Sequence, residues 1–245
     1  MATTGTCKLC LTNGELRESH ILSELLYKPA YDAIHRAIEM KIGSGRRRVI
    51  QKGYREAMLC GKCEGFLSKF ENYFADQWVK QGKLPATLSD PVIEIKGLDY
   101  APFKLFHLSV IWRASVSQRD EFRNVKLGPH EEVIRTLLLN EDPGDPTLYP
   151  FWGRILFDPT DRRVTDDVIV EPEMYRVDSH YVYIFTFGGC AWYYIVSSHD
   201  PRSLVPVLFR PGKSLVLVAQ DLYSYPPLAE FARRCREARG STRRN

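Results

Sequence analysis

Nowhere in these 245 residues does an apolar run approach the roughly 20 residues needed to cross a bilayer. The opening MATTGTCKLC lacks the charged and apolar regions of a secretory signal, so a cytoplasmic location is the expectation. Internal repeats of useful length and low-complexity segments are missing too. Charge is nearly balanced: 34 Lys and Arg against 30 Asp and Glu leave a net +4 at pH 7. Apolar material is not scarce. Hydrophobic residues make up 44%, aromatics 12% and charged residues 26%, the make-up of an ordinary globular protein and not of a disordered one. The length allows a substantial core, as one large domain or two smaller ones.

The mild net charge is unevenly spread. GRRRVIQKGYR (45–55) and RRCREARGSTRR (233–244) are dense in arginine, and such clusters attract polyanions, of which nucleic acid is the commonest. Arg46, Arg47, Arg48, Lys52 and Arg55 are therefore the candidate phosphate contacts. The C-terminal cluster reads equally well as a basic tail.

Two parts are expected. Residues 1–85 hold all the paired cysteines, KQGKLPATLSDP (80–91) looks like a connection, and residues 86–245 carry helices followed by strand-like runs. In the first part Pro29 interrupts any helix begun after His20. Tyr31, Ile34 and Ile38 at i, i+3 and i+7 then predict a helix to about Met40, ended by Gly43 and Gly45. A stronger helix is predicted from Cys63 to Lys80, with Phe66, Leu67, Phe70, Tyr73, Phe74 and Trp78 on one face and Glu64, Ser68 and Glu71 on another. In the second part 103–117 and 129–139 read as helices, the latter begun by Pro129. YVYIFTFGGCAWYYIVS (181–197) reads as a hairpin turning at Gly188-Gly189, VPVLFRPGKSLVLVA (205–219) as another near Pro211-Gly212, and LAEFARRCREA (228–238) as a closing helix. PGKS (211–214) is not a phosphate-binding loop, because Val207 stands where that loop needs glycine. His107, inside an apolar helix pattern, reads as a core residue. The fold class is α+β, with antiparallel hairpins in the second part.

The cysteines are more informative. Cys7 and Cys10 form one C-x2-C knuckle and Cys60 and Cys63 a second. A tight turn with two residues between thiolates aims both sulfurs at one ion, and two such turns complete the tetrahedral four-sulfur shell that zinc favours. Without a secretory signal, metal binding is preferred to disulfides for this spacing. Cys190 and Cys235 sit alone in apolar runs, where cysteine behaves as a small hydrophobe. A four-cysteine zinc site is coordinatively closed and cannot activate water, so any chemistry needs a separate site. His20, in the polar RESH segment after the first knuckle, is the candidate.

The order of C-x2-C, then RESHIL (17–22), then LC-x2-C opening a helix resembles the HNH endonuclease family in its zinc-stabilised form, over about residues 7–75. The resemblance implies a ββα-metal module in which a β-hairpin and a helix grip a divalent cation, Mg or Mn, at the scissile phosphate. It also implies that His20 is the general base and that Glu64 stands at the position of a histidine or asparagine metal ligand. Ser19 replaces the family's usual aspartate ligand, so Glu18 or Glu71 would have to supply charge. The family's middle asparagine falls near Arg55 or Glu56. The function implied is metal-dependent hydrolysis of phosphodiester bonds in DNA, in a defence, restriction or mobile-element setting. The 86–245 part would select the target, bind a protein partner or form a homo-oligomer. Ser19 and the missing asparagine favour the alternative, a non-catalytic zinc module that binds nucleic acid or protein.

Overall fold

The computed structural model describes residues 3–34, 37–40, 47–178, 180–201, 208–226 and 228–229. The chain opens with strand β1 (Thr3–Thr6) and, after the turn carrying Cys7 and Cys10, β2 (Asn13–His20). A single helical turn, α1 (Glu24–Tyr27), runs into a short 3-10 segment that contains Pro29. Strands β3 (Ala37–Met40) and β4 (Arg47–Ile50) pair with each other, and β5 (Arg55–Cys60) leads directly into α2 (Gly61–Phe74). β1, β2 and β5 form an antiparallel three-stranded sheet in that order.

The predicted helix from Tyr31 to about Met40 is replaced by β3. Ile38 pairs with Val49 in the β3–β4 ladder, and Ile34 is 63% exposed, so the three residues at helical spacing do not line one buried face. The β-branched Val49 and Ile50 supply a strand partner, and pairing outweighs a three-point periodicity. The predicted helix from Cys63 to Lys80 is present and begins slightly earlier. Its last turn, Ala75–Lys80, widens into π-helix and seats Trp78 in the core. There the indole N–H donates to the Gly188 carbonyl at 2.8 Å.

Past the 80–91 connection, β6 (Val92–Ile95) precedes α3 (Tyr100–Val116) and α4 (His130–Leu139), both at the predicted places. α3 is buried on nearly every side, as an apolar helix wrapped by other elements must be. Its three strongly polar side chains therefore need partners. Lys104 Nζ donates to the carbonyls of Asp145 and Leu148, each at 2.8 Å, and His107 Nδ1 lies 2.7 Å from the Tyr194 hydroxyl. His107 is thus a core residue, while the third, Arg113, belongs to the site described below.

The remaining strands are β7 (Phe151–Phe157), β8 (Val170–Val177), β9 (His180–Phe187), β10 (Cys190–Val196) and β11 (Leu215–Asp221). With β6 they make a six-stranded sheet ordered β6-β11-β7-β10-β9-β8, antiparallel except for the β11–β7 pair. The hairpin at Gly188-Gly189 forms as predicted, with φ of 58° and 76° at the two glycines, a region open to residues without a side chain. Of the second predicted hairpin, residues 205–207 lie outside the described residues; residues 208–210 are not strand, and β11 pairs with β6 and β7 instead. Residues 202–207 lie outside the described residues, as do His35, Arg46, Cys235, the basic tail and most of the predicted closing helix.

One apolar cluster runs from Cys7 to Leu217. Its centre is aromatic: the ring of Phe74 on α2 stacks on Phe106 of α3 with centroids 4.1 Å apart, and Trp78 meets Trp192 of β10 at 5.4 Å. Packing α2 against α3 is what brings the second part of the chain up to the cysteine-rich first part. Among the described residues, no helix is long and apolar enough to cross a membrane.

Candidate functional site

The two cysteine knuckles meet. Cys7 and Cys10 lie in the turn between β1 and β2, Cys60 caps α2 and Cys63 lies in its first turn. The four sulfurs lie within 4.8 Å of one another, close enough to hold one metal ion, and four thiolates in this arrangement fit a structural zinc. The backbone supports them. The Cys60 N–H donates to Cys7 Sγ at 3.3 Å, and Leu11 takes a left-handed φ of 61° to close the first knuckle. A hydrogen bond from the Thr12 hydroxyl holds the Cys10 thiol down at about 6, while burial pushes Cys7 and Cys63 up. A bound cation favours the thiolate at all four.

α4 reaches the same site. Arg135 Nη1 donates to the carbonyl of Leu9, inside the first knuckle, at 2.6 Å, while its other nitrogens grip Glu132 at 2.7 and 2.6 Å.

β2 continues from the knuckle to Ser19 and His20, which pair across to Glu56 and Arg55 of β5. Successive strand residues point to opposite faces, so these two neighbours have different surroundings. Ser19 is fully buried and donates to Glu64 Oε2 of α2 at 2.6 Å. The two positions identified as metal ligands by resemblance are therefore in contact with each other.

His20 faces elsewhere. Its Nε2 lies 2.7 Å from Glu24 Oε2, at the start of α1. The same carboxylate accepts from the Tyr31 hydroxyl at 3.0 Å, Arg55 Nη2 at 3.2 Å and the Gly53 N–H at 3.4 Å. Burial alone would raise the Glu24 pKa, but hydrogen bonds from His20, Tyr31 and Arg55 outweigh it and hold the carboxyl at about 2. Burial lowers the His20 pKa, against the pull of the Glu24 hydrogen bond, so near pH 7 the imidazole is neutral. A neutral ring beside an ionised carboxylate places its proton on Nε2 and leaves the lone pair on Nδ1.

The other acids of α2 and β5 are engaged. Glu71 Oε1 pairs with Arg113 Nη1, whose side chain is 1% exposed. Glu56 accepts from the Ser117 hydroxyl at 2.6 Å and from the Gln118 N–H at 3.0 Å, at the end of α3. Glu18 is exposed on β2. Among the described residues, the four cysteines are the one group of three or more metal-ligating side chains that converge. Glu64, Glu71 and Glu18 do not join such a group among the described residues, so nothing in their arrangement supports a Mg or Mn site.

Of the basic candidates, Arg47 and Arg48 lie on β4, Lys52 is exposed beyond it, and Arg55 spends one guanidinium nitrogen on Glu24. Sequence reasoning missed Glu24 and Arg113. Glu24 was visible as the acid four residues after His20, and Arg113 as a lone arginine inside an apolar helix. Comparison with protein-family models, curated proteins and solved structures gave no match.

Proposed function

We propose that this chain is a zinc-stabilised, HNH-like endonuclease that hydrolyses phosphodiester bonds in DNA, with His20 as general base. The observation that carries the reading is the His20–Glu24 pair: an imidazole held neutral, with its tautomer fixed by a half-buried carboxylate, at the end of β2. Further support is the antiparallel β2–β5 pair leading into α2, with the four cysteines knitting all three together. This is the arrangement in which the resemblance places a catalytic histidine.

In this reading His20 Nδ1 takes a proton from the water that attacks phosphorus. Glu24 stabilises the imidazolium that forms, as an orienting carboxylate does in other histidine bases. Mg²⁺ or Mn²⁺, which bind through one or two carboxylates, several waters and substrate phosphates, would supply charge neutralisation at the phosphate. Because the acids here do not converge on a cation, no step is assigned to protein-held metal. Exposed Lys52 and the neighbouring arginines would meet the phosphates, in contacts that are salt-sensitive and sequence-blind.

A second reading, a non-catalytic zinc module binding nucleic acid or protein, is favoured by the engagement of Glu64 with Ser19 and of Glu71 with Arg113. One experiment separates them. Purified protein and its His20→Ala variant are incubated with plasmid and Mg²⁺, Mn²⁺ or Ni²⁺. Metal-dependent nicking lost in the variant supports the nuclease. DNA retarded on a gel but uncut by either protein supports the binder.

A further inference from the structure

We propose that Arg113 is a positioning residue for His20: from α3, one guanidinium nitrogen ties the backbone carbonyl of His20 to the carboxylate of Glu71 and so fixes the end of β2 against α2. Its functional weight rests on reading His20 as a base; its geometry does not.

Arg113 Nη1 lies 2.9 Å from the His20 carbonyl oxygen and also pairs with Glu71 Oε1. An Nη nitrogen carries two N–H groups, one for each acceptor. His20 is the last residue of β2, and the Ile21 N–H donates across to the Tyr54 carbonyl at 3.1 Å. The strand end is thus held by the residue preceding β5 on one side and from α3 on the other. The ring is held separately by Glu24, so Arg113 sets where the imidazole sits and Glu24 sets how it turns.

The same contact reassigns Glu71. A guanidinium 1% exposed needs a counterion, and Glu71, with its side chain 18% exposed, is the acid that supplies one. Glu71 therefore belongs to the support of His20 and not to a cation site on α2. The second part of the chain thereby acquires a role at the histidine. Its helix α3 carries a residue that holds the backbone of a histidine more than ninety positions earlier.

Among the described residues Arg113 Nε and Nη2, both buried, have no hydrogen-bonding partner, so a single nitrogen makes both contacts. A lysine, one bond shorter, keeps a cation with donors for both acceptors, whereas a methionine keeps neither charge nor donor. The test uses the full, zinc-loaded chain. In the unmodified protein, NMR should detect a scalar coupling between an Arg113 guanidinium nitrogen and the His20 carbonyl carbon; its absence overturns the proposal without any mutation. In Arg113→Met the His20 carbonyl resonance should move upfield, and plasmid cleavage should lose about 100-fold in kcat with KM little changed. Arg113→Lys should restore most of both. An unmoved carbonyl resonance in a zinc-loaded Arg113→Met protein, or a lysine variant no better than methionine, refutes the role. Should the methionine variant not fold, the scalar coupling decides. Failure of the unmodified protein to cut DNA counts against the nuclease reading alone, since the NMR readouts need no activity.

Discussion

Arg135 of α4 donates to the carbonyl of Leu9 at 2.6 Å, so the first cysteine knuckle is held by a residue 126 positions away. A charge-assisted hydrogen bond of this kind contributes about 1.5 kcal/mol or more. Arg135→Ala should keep its zinc but release it faster to a chelator, with a lower melting temperature, as followed by a colorimetric zinc indicator and by circular dichroism. Release at the unmodified rate would make the contact incidental.

Removal of a ligand should be more drastic. Cys60 begins α2 and its sulfur lies 3.9 Å from that of Cys10. Structural zinc sites contribute folding free energy directly, so Cys60→Ser should lose the metal and collapse the N-terminal module. Elemental analysis paired with limited proteolysis reads both effects. A full equivalent of zinc retained in this variant would contradict the four-sulfur assignment.

His20→Ala should leave zinc content and fold intact and lower plasmid cleavage by about 10²- to 10⁴-fold, the range for a general base. Glu24→Gln should retain a hydrogen bond to the ring but lose the charge that stabilises an imidazolium, and so should fall between the two proteins. Equal activity in all three would remove His20 from the chemistry.

Acid should destabilise the fold through the same pair. Glu24 titrates near 2 when folded against 4.5 for an ordinary glutamate, so its contribution is complete above about pH 4.5 and lost as pH falls toward 2. His20 has a folded pKa below its ordinary 6.5, so below that pH the unfolded chain takes up a proton that the folded one resists, again costing stability as pH falls. Melting temperatures at pH 7, 5 and 3 should decline, and Glu24→Gln should flatten the decline below about pH 4.5. An unchanged slope in that variant would mean that other groups govern it.

Gly53 offers a steric test. A Cβ there would lie 2.3 Å from the ring of Tyr27, the buried last residue of α1, and the Gly53 N–H donates to Glu24. Gly53→Ala should overpack the site by about 1–3 kcal/mol, visible as a lower denaturation midpoint. A midpoint unchanged from the unmodified protein would show that Tyr27 yields freely.

The parts legible in the sequence were those set by neighbouring residues. Two residues between thiolates shape a turn whatever surrounds it, so both knuckles could be read, and the apolar stripe from Phe66 to Trp78 marked α2. Gly188-Gly189 marked its hairpin because positive φ is cheap only for glycine. The failures were of another kind. Ile34 and Ile38 fitted a helical period, but β3 had a strand partner, β4, at Arg47–Ile50. The segment before Pro211 looked like half a hairpin, but β6 and β7 already flank β11.

By itself, then, the sequence determined a four-thiolate site, the main helices and an α+β chain. Tertiary structure alone decided that Ser19 meets Glu64, that Glu24 rather than an acid of α2 holds the His20 ring, and that Arg113 takes Glu71. The reason is physical. Turn and helix preferences are written in residues a few positions apart, whereas the partner of a buried polar group is whichever complementary atom the packing of distant segments delivers within hydrogen-bonding reach.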